Sequence, residues 1–406
     1  MATEPLAVNG GQPTVAGDFP AWPIYDQNEA DALLEVLNSG KWGSTHGDVV
    51  ATFENEFATH QQTKYASALS NGTLALAAAL SAGGVGIGDE VIVPPYTFIA
   101  TAAAALFVGA VPVFADVLPH NHLLDPEAVK AAITERTKAV IPVHLAGAVA
   151  DMDAFAAIGR EHDLLIIEDG AQATGAAWRG TPVGGLGDIG TFSFQSSKNL
   201  TAGEGGAVTS NDEELAQALY SAINVGRVRG GGWYEHQRVG YNLRLTEFQA
   251  AVLRVQLSRL DAQQKQRDEA ANLLAELLEP IEGVEVDATD ERQTAHGRHL
   301  FLMRFSAFGG DAAVRDAAVK ALSAEGVTGV SGGYVPLHRN EPLVRDAKAI
   351  ADKLGQPYAT PDCPVTDAVS KDSIWLTQPL MLGTTEQVGQ IASAISKVVA
   401  NVDSLR

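Results

Sequence analysis

A lysine that leaves a strand end and enters a glycine-rich turn is placed to become a nucleophile. Lys198 does so in Ser193-Phe-Gln-Ser-Ser-Lys-Asn-Leu-Thr-Ala-Gly-Glu-Gly-Gly206, just past the apolar run 191–194. Taken out of water, its amine can attack an aldehyde. Left in water, it is an ordinary loop lysine. Asp169 ends a second apolar run, in Leu165-Ile-Ile-Glu-Asp-Gly-Ala-Gln172. A carboxylate at that depth costs energy unless it is paired. A protonated ring nitrogen is one partner, and a turn that the acid caps is the other reading. Glu168, one position earlier, should point to the opposite face. Ser70-Asn-Gly-Thr-Leu-Ala-Leu-Ala-Ala-Ala-Leu80 opens an alanine- and leucine-rich helix with a small polar loop. Free N–H groups and the helix dipole make such an end an anion site. Gly72 would let a phosphate approach the backbone and Thr73 would add a hydroxyl. An ordinary N-cap is the plainer alternative. Phe98, in Pro94-Pro-Tyr-Thr-Phe98, either stacks on a planar ring or belongs to the core.

Those residues need a frame. Short apolar runs recur at 91–94, 111–114, 139–143, 164–167, 191–194 and 206–209. Amphipathic segments at 125–137 and 151–162 separate some of them, with Asp125 and Asp151 as N-caps. Apolar runs without polar alternation indicate strands buried on both faces, hence a mostly parallel sheet covered by helices. In such sheets ligands sit at the carboxyl ends of strands, and the residues above all follow apolar runs. Gly185-Leu-Gly-Asp-Ile-Gly190 matches the dinucleotide fingerprint in letters only, because it precedes a strand and no helix follows. After Thr246 a long amphipathic helix runs through Phe248, Leu253, Leu260 and Leu274 to Pro280. From about Val284 a second, smaller α/β domain is expected, with a strand at 299–305 and helices at 311–325 and 384–402. The division predicted is 1–280, a large domain with the N-terminal segment, and 281–406.

Composition narrows the class. At 406 residues the chain is long enough for roughly two or three domains. Its 46% hydrophobic and 19% charged residues fit a soluble globular protein. Lys plus Arg number 28 and Asp plus Glu 49, giving a net charge of −21. That balance argues against a general nucleic-acid or anionic-membrane binder. Cys363 is the one cysteine, so no intrachain disulfide forms and a cysteine-based metal site is not expected. No secretion signal is legible near Met1, and a cytoplasmic location follows. The uncharged stretch 91–115 is broken by Pro94, Pro95 and Pro112 and reads as strand, loop, helix and strand rather than a membrane span.

The order and spacing of the features carry more than any one of them. Trp42-Gly-Ser-Thr45, Asn71-Gly72-Thr73, Pro94-x-x-Thr-Phe98, Asp169, Ser193, Lys198 with Gly203-Glu-Gly-Gly206, and Gly240-Tyr-Asn-Leu-Arg-Leu-Thr-Glu-Phe-Gln249 follow one another. This resembles the DegT/DnrJ/StrS aminotransferases, pyridoxal 5'-phosphate (PLP) enzymes of fold type I, over nearly the whole chain. The resemblance implies that Lys198 is the Schiff-base lysine and moves protons at the substrate carbon. Asp169 would keep the pyridine nitrogen protonated, which makes the ring an electron sink. Phe98 would stack on the ring, Gln172 would touch it, and Gly72, Thr73 and Ser193 would hold the phosphate. Asn242 would reach the phosphate of a neighbouring subunit's cofactor, which implies a homodimer with shared sites.

The activity implied is transamination. Glutamine or glutamate would convert PLP to pyridoxamine phosphate (PMP), which would aminate a ketone on a sugar or cyclitol. Trp42, Tyr334, His338 and Arg339 are expected in the substrate wall, with Trp375 and His299 as further candidates. Gln195 stands where many sugar aminotransferases have His. It resembles the branch of 3-amino-5-hydroxybenzoate synthases and scyllo-inosose-type aminotransferases, as do 363–367 and 374–378. Tyr334-Val-Pro-Leu-His338 resembles nucleotide-sugar aminotransferases instead. An aromatising dehydratase of the hydroxybenzoate type, or a PLP sugar dehydratase, is the alternative. Dehydratases commonly replace the lysine with His, and this chain keeps Lys198.

Overall fold

The structure, a computed structural model, describes residues 4–406. Its strands are β1 (Tyr65–Leu69), β2 (Glu90–Val93), β3 (Val111–Phe114), β4 (Thr137–Val140), β5 (Leu165–Asp169), β6 (Ala177–Trp178), β7 (Thr181–Pro182), β8 (Ile189–Ser193), β9 (Gly206–Ser210), β10 (Glu285–Val286), β11 (Gln293–Ala295), β12 (Leu300–Arg304), β13 (Val330–Ser331) and β14 (Ser373–Thr377). Seven form the main sheet, in the order β1-β9-β8-β5-β4-β2-β3. β3, β2, β4, β5 and β8 are parallel, while β9 runs opposite to its neighbours β8 and β1. The runs expected to be strands are strands, and β2, β8 and β9 are buried along their whole length. Two details differ. The helix predicted over 125–137 stops at Ala132, because Thr134 and Thr137 close a turn that feeds β4. The 139–143 run leaves its ladder after Val140, before Pro142, whose missing N–H cannot extend it.

Helices cover both faces. On one, Gly72–Ala82 and Ala100–Phe107 pack through alanines against Val91, Val93 and Ile167. Small side chains let these helices approach closely. On the other face, Phe53, Phe57, Phe155, Phe192 and Phe194 fill the space. Phe53–Phe194 and Phe57–Phe192 meet edge-on at 5.6 and 5.0 Å, each worth about 0.5–1.5 kcal/mol beyond the area buried. The uncharged stretch 91–115 contains β2, the helix Ala100–Phe107 and β3. Among the described residues no helix is long and apolar enough to cross a membrane.

Thr246 and Gln249 form a capping box that starts the 32-residue helix Glu247–Leu278, about 48 Å long. Its first turns bury Ala250 and Leu253 in the aromatic core. Its last turns bury Ala271, Leu274 and Leu278 in a second core. There the antiparallel sheet β10-β12-β14-β13 is covered by the helices Ala312–Ala324 and Thr385–Ala400. The chain crosses between the cores. Leu6 and Val15 belong to the second core, and Leu337, Leu343 and Cys363 return to the first. A cut at residue 280 therefore separates neither core cleanly.

Candidate active site

A cavity of about 860 Å³ opens at the carboxyl ends of β1, β2, β5 and β8. That is where an open α/β sheet binds ligands. Asn71, Gly72 and Thr73 reach it just past β1, Thr97 and Phe98 past β2, Asp169 at the end of β5, and Ser193 at the end of β8. Lys198 follows from the turn after β8. The sheet thus gathers residues from 71 to 198 into one chamber.

Asp169 is buried at 5% exposure. Its carboxylate accepts a hydrogen bond from the Thr101 hydroxyl at 2.8 Å and another from the Ala171 N–H at 3.2 Å. Burial pushes its pKa up. The Thr101 and Ala171 donors and the charges of Lys198 and His144 pull the other way without cancelling it. A carboxyl held in this state gains most from a cation brought to it. Burial pushes the Lys198 amine down to about 8, against the opposing pull of Asp169. A lysine so shifted is partly neutral near physiological pH and can act as a nucleophile.

The opposite end of the cavity is a helix N-terminus. The helix Gly72–Ala82 starts at the cavity, its Asn71 side chain accepting from the Leu74 N–H at 2.9 Å. No acidic side chain in its first turn occupies the positive end of the dipole. A Cβ on Gly72 would stand 2.6 Å from the Cβ of Ser193, and one on Gly206 would stand 2.6 Å from the Asn71 carbonyl carbon. Two glycines therefore let the helix end, β8 and β9 converge. The Asn71 side chain is an N-cap, and the helix end that it caps opens on the cavity. Phe98 is at the cavity, 56% exposed, and outside the core.

The remaining wall comes from the second sheet and its approaches. The Gln172 Nε2 donates to the Tyr334 hydroxyl at 2.8 Å, and its Oε1 accepts from the Ala146 N–H at 2.7 Å. Tyr334 meets Trp375 edge-on at 4.7 Å, and burial pushes its phenol up to about 12. It acts as a neutral hydrogen-bonding group. His299 also lines the cavity, its Nδ1 3.1 Å from the Asn199 Oδ1. Burial, then the charges of Lys198 and Arg267, hold it well below the usual histidine range.

Three expected wall residues lie elsewhere. Trp42 is 51% exposed, packs on Phe248 at 5.9 Å and donates its indole N–H to the Leu37 carbonyl. His338 is buried, 3.3 Å from the Asp367 carboxylate. Arg339 is tied to the same carboxylate, with Nε 2.6 Å from Oδ1. This arrangement ties Arg339 to the helix Pro364–Asp372 and sets His338 beside it without a hydrogen-bond partner, and neither lines the cavity. Asn242 is exposed and does not line its own chain's cavity.

Other residues went unread. Thr101, the hydrogen-bond partner of Asp169, was visible only as a hydroxyl inside an apolar stretch. Trp22 lines the cavity from a segment with no periodic signal. Glu168 does point to the far face. It accepts from the N–H groups of Gly184, Leu186 and Gly187, each at 2.8 Å, and lies 3.0 Å from the His144 Nε2. The Leu186 and Gly187 N–H groups belong to the glycine loop that matched a dinucleotide fingerprint, and Gly184 immediately precedes it. A Cβ on Gly187 would meet the Ile166 carbonyl at 2.7 Å, so this glycine serves close backbone approach.

Comparison with known proteins agrees with this geometry. The profile of the DegT/DnrJ/EryC1/StrS aminotransferase family matches residues 23–396. A 3-amino-5-hydroxybenzoate synthase of Amycolatopsis mediterranei is 41% identical over 392 residues, covering 95% of this chain and 98% of its own. An L-glutamine:2-deoxy-scyllo-inosose aminotransferase of Streptomyces lividus is 39% identical over 414 residues, 97% of each chain. The crystal structure of a 3-amino-5-hydroxybenzoic acid synthase superposes with a TM-score of 0.88 at 40% identity, over 96% of this chain and all of that one.

Proposed function

Because the chain belongs to the DegT/DnrJ/EryC1/StrS aminotransferase family and is an aminotransferase of fold type I, we propose that it uses PLP to move an amino group from glutamine or glutamate to a ketone on a cyclitol or sugar ring. The observation that carries this is the convergence of Lys198, Asp169 and the Gly72 helix end on one cavity. Each part suits one end of the cofactor. The Gly72–Thr73 amides and the Thr73 and Ser193 hydroxyls suit the phosphate. Asp169 suits a protonated ring nitrogen, and Lys198 an aldehyde. When bound, PLP supplies the electron sink that lets the amino group change carbon. Lys198 takes the proton from the donor's α-carbon and returns it at the acceptor, as general base and then acid. Phe98 covers the ring face, and Tyr334, hydrogen-bonded to Gln172, borders the substrate chamber. The single thiol, Cys363, suits a reducing cytoplasm.

The test is the visible band of the PLP-loaded protein. L-glutamine or L-glutamate should bleach it, and a keto-cyclitol such as 2-deoxy-scyllo-inosose should restore it. A loaded protein that ignores both donors overturns the reading. It would favour ring dehydration with aromatisation, the second reading, which the 41% identity to a 3-amino-5-hydroxybenzoate synthase supports.

We also propose that two copies share their sites. The segment 226–244 exposes Trp233, Tyr234, Val239 and Tyr241, at 52–89%. Asn242 lies in the same exposed stretch, aimed at no site of its own chain. Clustered apolar exposure of this kind marks an interface. A self-complementary contact would bring each Asn242 to the other copy. Lys198→Ala and Asn242→Ala proteins should each be nearly inactive. Mixed one to one after dissociation, they should recover about a quarter of wild-type activity, since half the dimers then hold one intact site. No recovery would mean that each site is built within one chain.

A further inference from the structure

Arg267 is the largest fully buried side chain among the described residues, at 0% exposure. It comes from the middle of the helix Glu247–Leu278, within a stretch of sequence that otherwise looks solvated. Its Nε donates to the Gln378 Oε1 at 2.8 Å and its Nη2 to the Gln263 Oε1 at 3.3 Å. Among the described residues no carboxylate pairs with it, and its Nη1 has no partner. The Nε2 of Gln378, its own neighbour, has none either. Burial alone pushes the guanidinium down to about 9. A buried cation without a counter-ion costs several kcal/mol. Buried donors are nearly always satisfied, so two orphans in one cluster need a reason.

Their place supplies one. Gln378 sits between Thr377 and Pro379, both of which line the cavity, and its N–H donates to the His299 carbonyl at 3.1 Å. Trp22, another lining residue, lays its ring over the guanidinium, with 5.1 Å from the guanidinium carbon to the ring centroid. Trp22 is only half-buried, and its indole N–H is held by one bond, to the Ser196 carbonyl. Arg267 and Gln378 thus stand one side chain behind the wall, on the side of His299.

We infer that Arg267 and Gln378 form the carboxylate-recognition site of this cavity, which the α-carboxylate of the amino donor enters when the Trp22 ring swings aside. The Nη1 of Arg267 and the Nε2 of Gln378 would then both donate to it, and the buried charge would gain its counter-ion. The inference rests on the transaminase reading for the identity of the ligand. The site itself rests on the two orphan donors. His299 stays neutral beside this cation, so it brings no second charge to the carboxylate.

The test uses the PLP-loaded protein and glutarate, a dicarboxylate with no amino or keto group to transfer. Calorimetry should show binding to the wild type that weakens at least about tenfold in Arg267→Met, as loss of a charge-assisted hydrogen bond requires. Gln378→Leu should weaken it several-fold. Because Arg267→Met also removes an uncompensated buried charge, its melting temperature should hold or rise. In turnover, the KM for L-glutamine or L-glutamate should rise about tenfold or more while the KM for the keto-cyclitol stays put. Glutarate binding unchanged in both variants would overturn the inference, whatever happens to turnover. If Arg267→Met fails to fold, Gln378→Leu decides alone. A protein that binds glutarate through Arg267 yet transfers no amino group would refute the transaminase reading and leave the site standing.

Discussion

Lys198→Ala should lose transaminase activity by on the order of 10³-fold or more, since no other lysine among the described residues lines the cavity. Borohydride treatment of the PLP-loaded wild type should fix the cofactor to the peptide that carries Lys198, and the variant should fix none there. An adduct that survives in Lys198→Ala would move the assignment to another lysine. The shift of this amine makes the expectation sharper. Its usual value is 10.5, and burial brings it to about 8. At pH 7 about one molecule in ten then holds the amine neutral, several hundred-fold more than for an unshifted lysine. The rate at which cofactor-free protein captures PLP should climb about tenfold per pH unit below 8 and flatten above it. The sign for stability is the reverse of an ion pair. Because the folded value lies below the unfolded one, the burial penalty is full below about pH 8 and gone above about 10.5. Lys198→Met should therefore melt no lower than the wild type at pH 7. A variant that loses activity by unfolding would show the opposite.

The parts legible in the sequence were those with a local cause. Asp125, Asp151, Thr246 and Asp311 announce helix starts because a cap is a matter of a few neighbouring residues, and each caps a helix. Lys198 and Asp169 were legible because each follows an apolar run, and strand ends converge by topology, whereas Gly72 was legible because a small polar loop opens an alanine- and leucine-rich helix. The strand Tyr65–Leu69 was missed, since Tyr-Ala-Ser-Ala-Leu has no β-branched run to mark it. The reversal of β9 is equally silent, because a strand buried on both faces reads alike in either direction. Trp42, His338 and Arg339 do not line their own chain's cavity, for a different reason. Their types suit a ligand, but Phe248, Leu37 and Asp367 reach them first. Arg267 was hidden by its surroundings. Lys265, Asp268 and Glu269 beside it are exposed or half-buried, and only the three-dimensional path of the helix shows that one charge in that stretch turns inward.

Asp169→Asn should cost transamination about 10²- to 10⁴-fold, which is the effect of removing one member of a buried charge pair, about 3–5 kcal/mol. The amide keeps the shape and can still accept from the Thr101 hydroxyl, so the fold should be spared and the loss should fall on kcat. Direction matters here. In the protein alone, burial pushes the Asp169 carboxyl up, so the fold is penalised for its charge. A protonated ring nitrogen beside it reverses the balance and pulls its pKa down. PLP should therefore stabilise the wild type more at pH 7 than at pH 4, where the raised carboxyl holds more of its proton. In Asp169→Asn that difference should shrink to the part that comes from the cofactor's phosphate, which loses charge over the same range. Melting curves with pyridoxine 5'-phosphate, which has the ring nitrogen but no aldehyde, separate this term from capture by Lys198. If Asp169→Asn keeps the whole of the wild type's pH-dependent gain with that ligand, the carboxylate does not face the ring nitrogen. The charge would then serve the Ala171 turn, the other reading that a carboxylate after an apolar run allows.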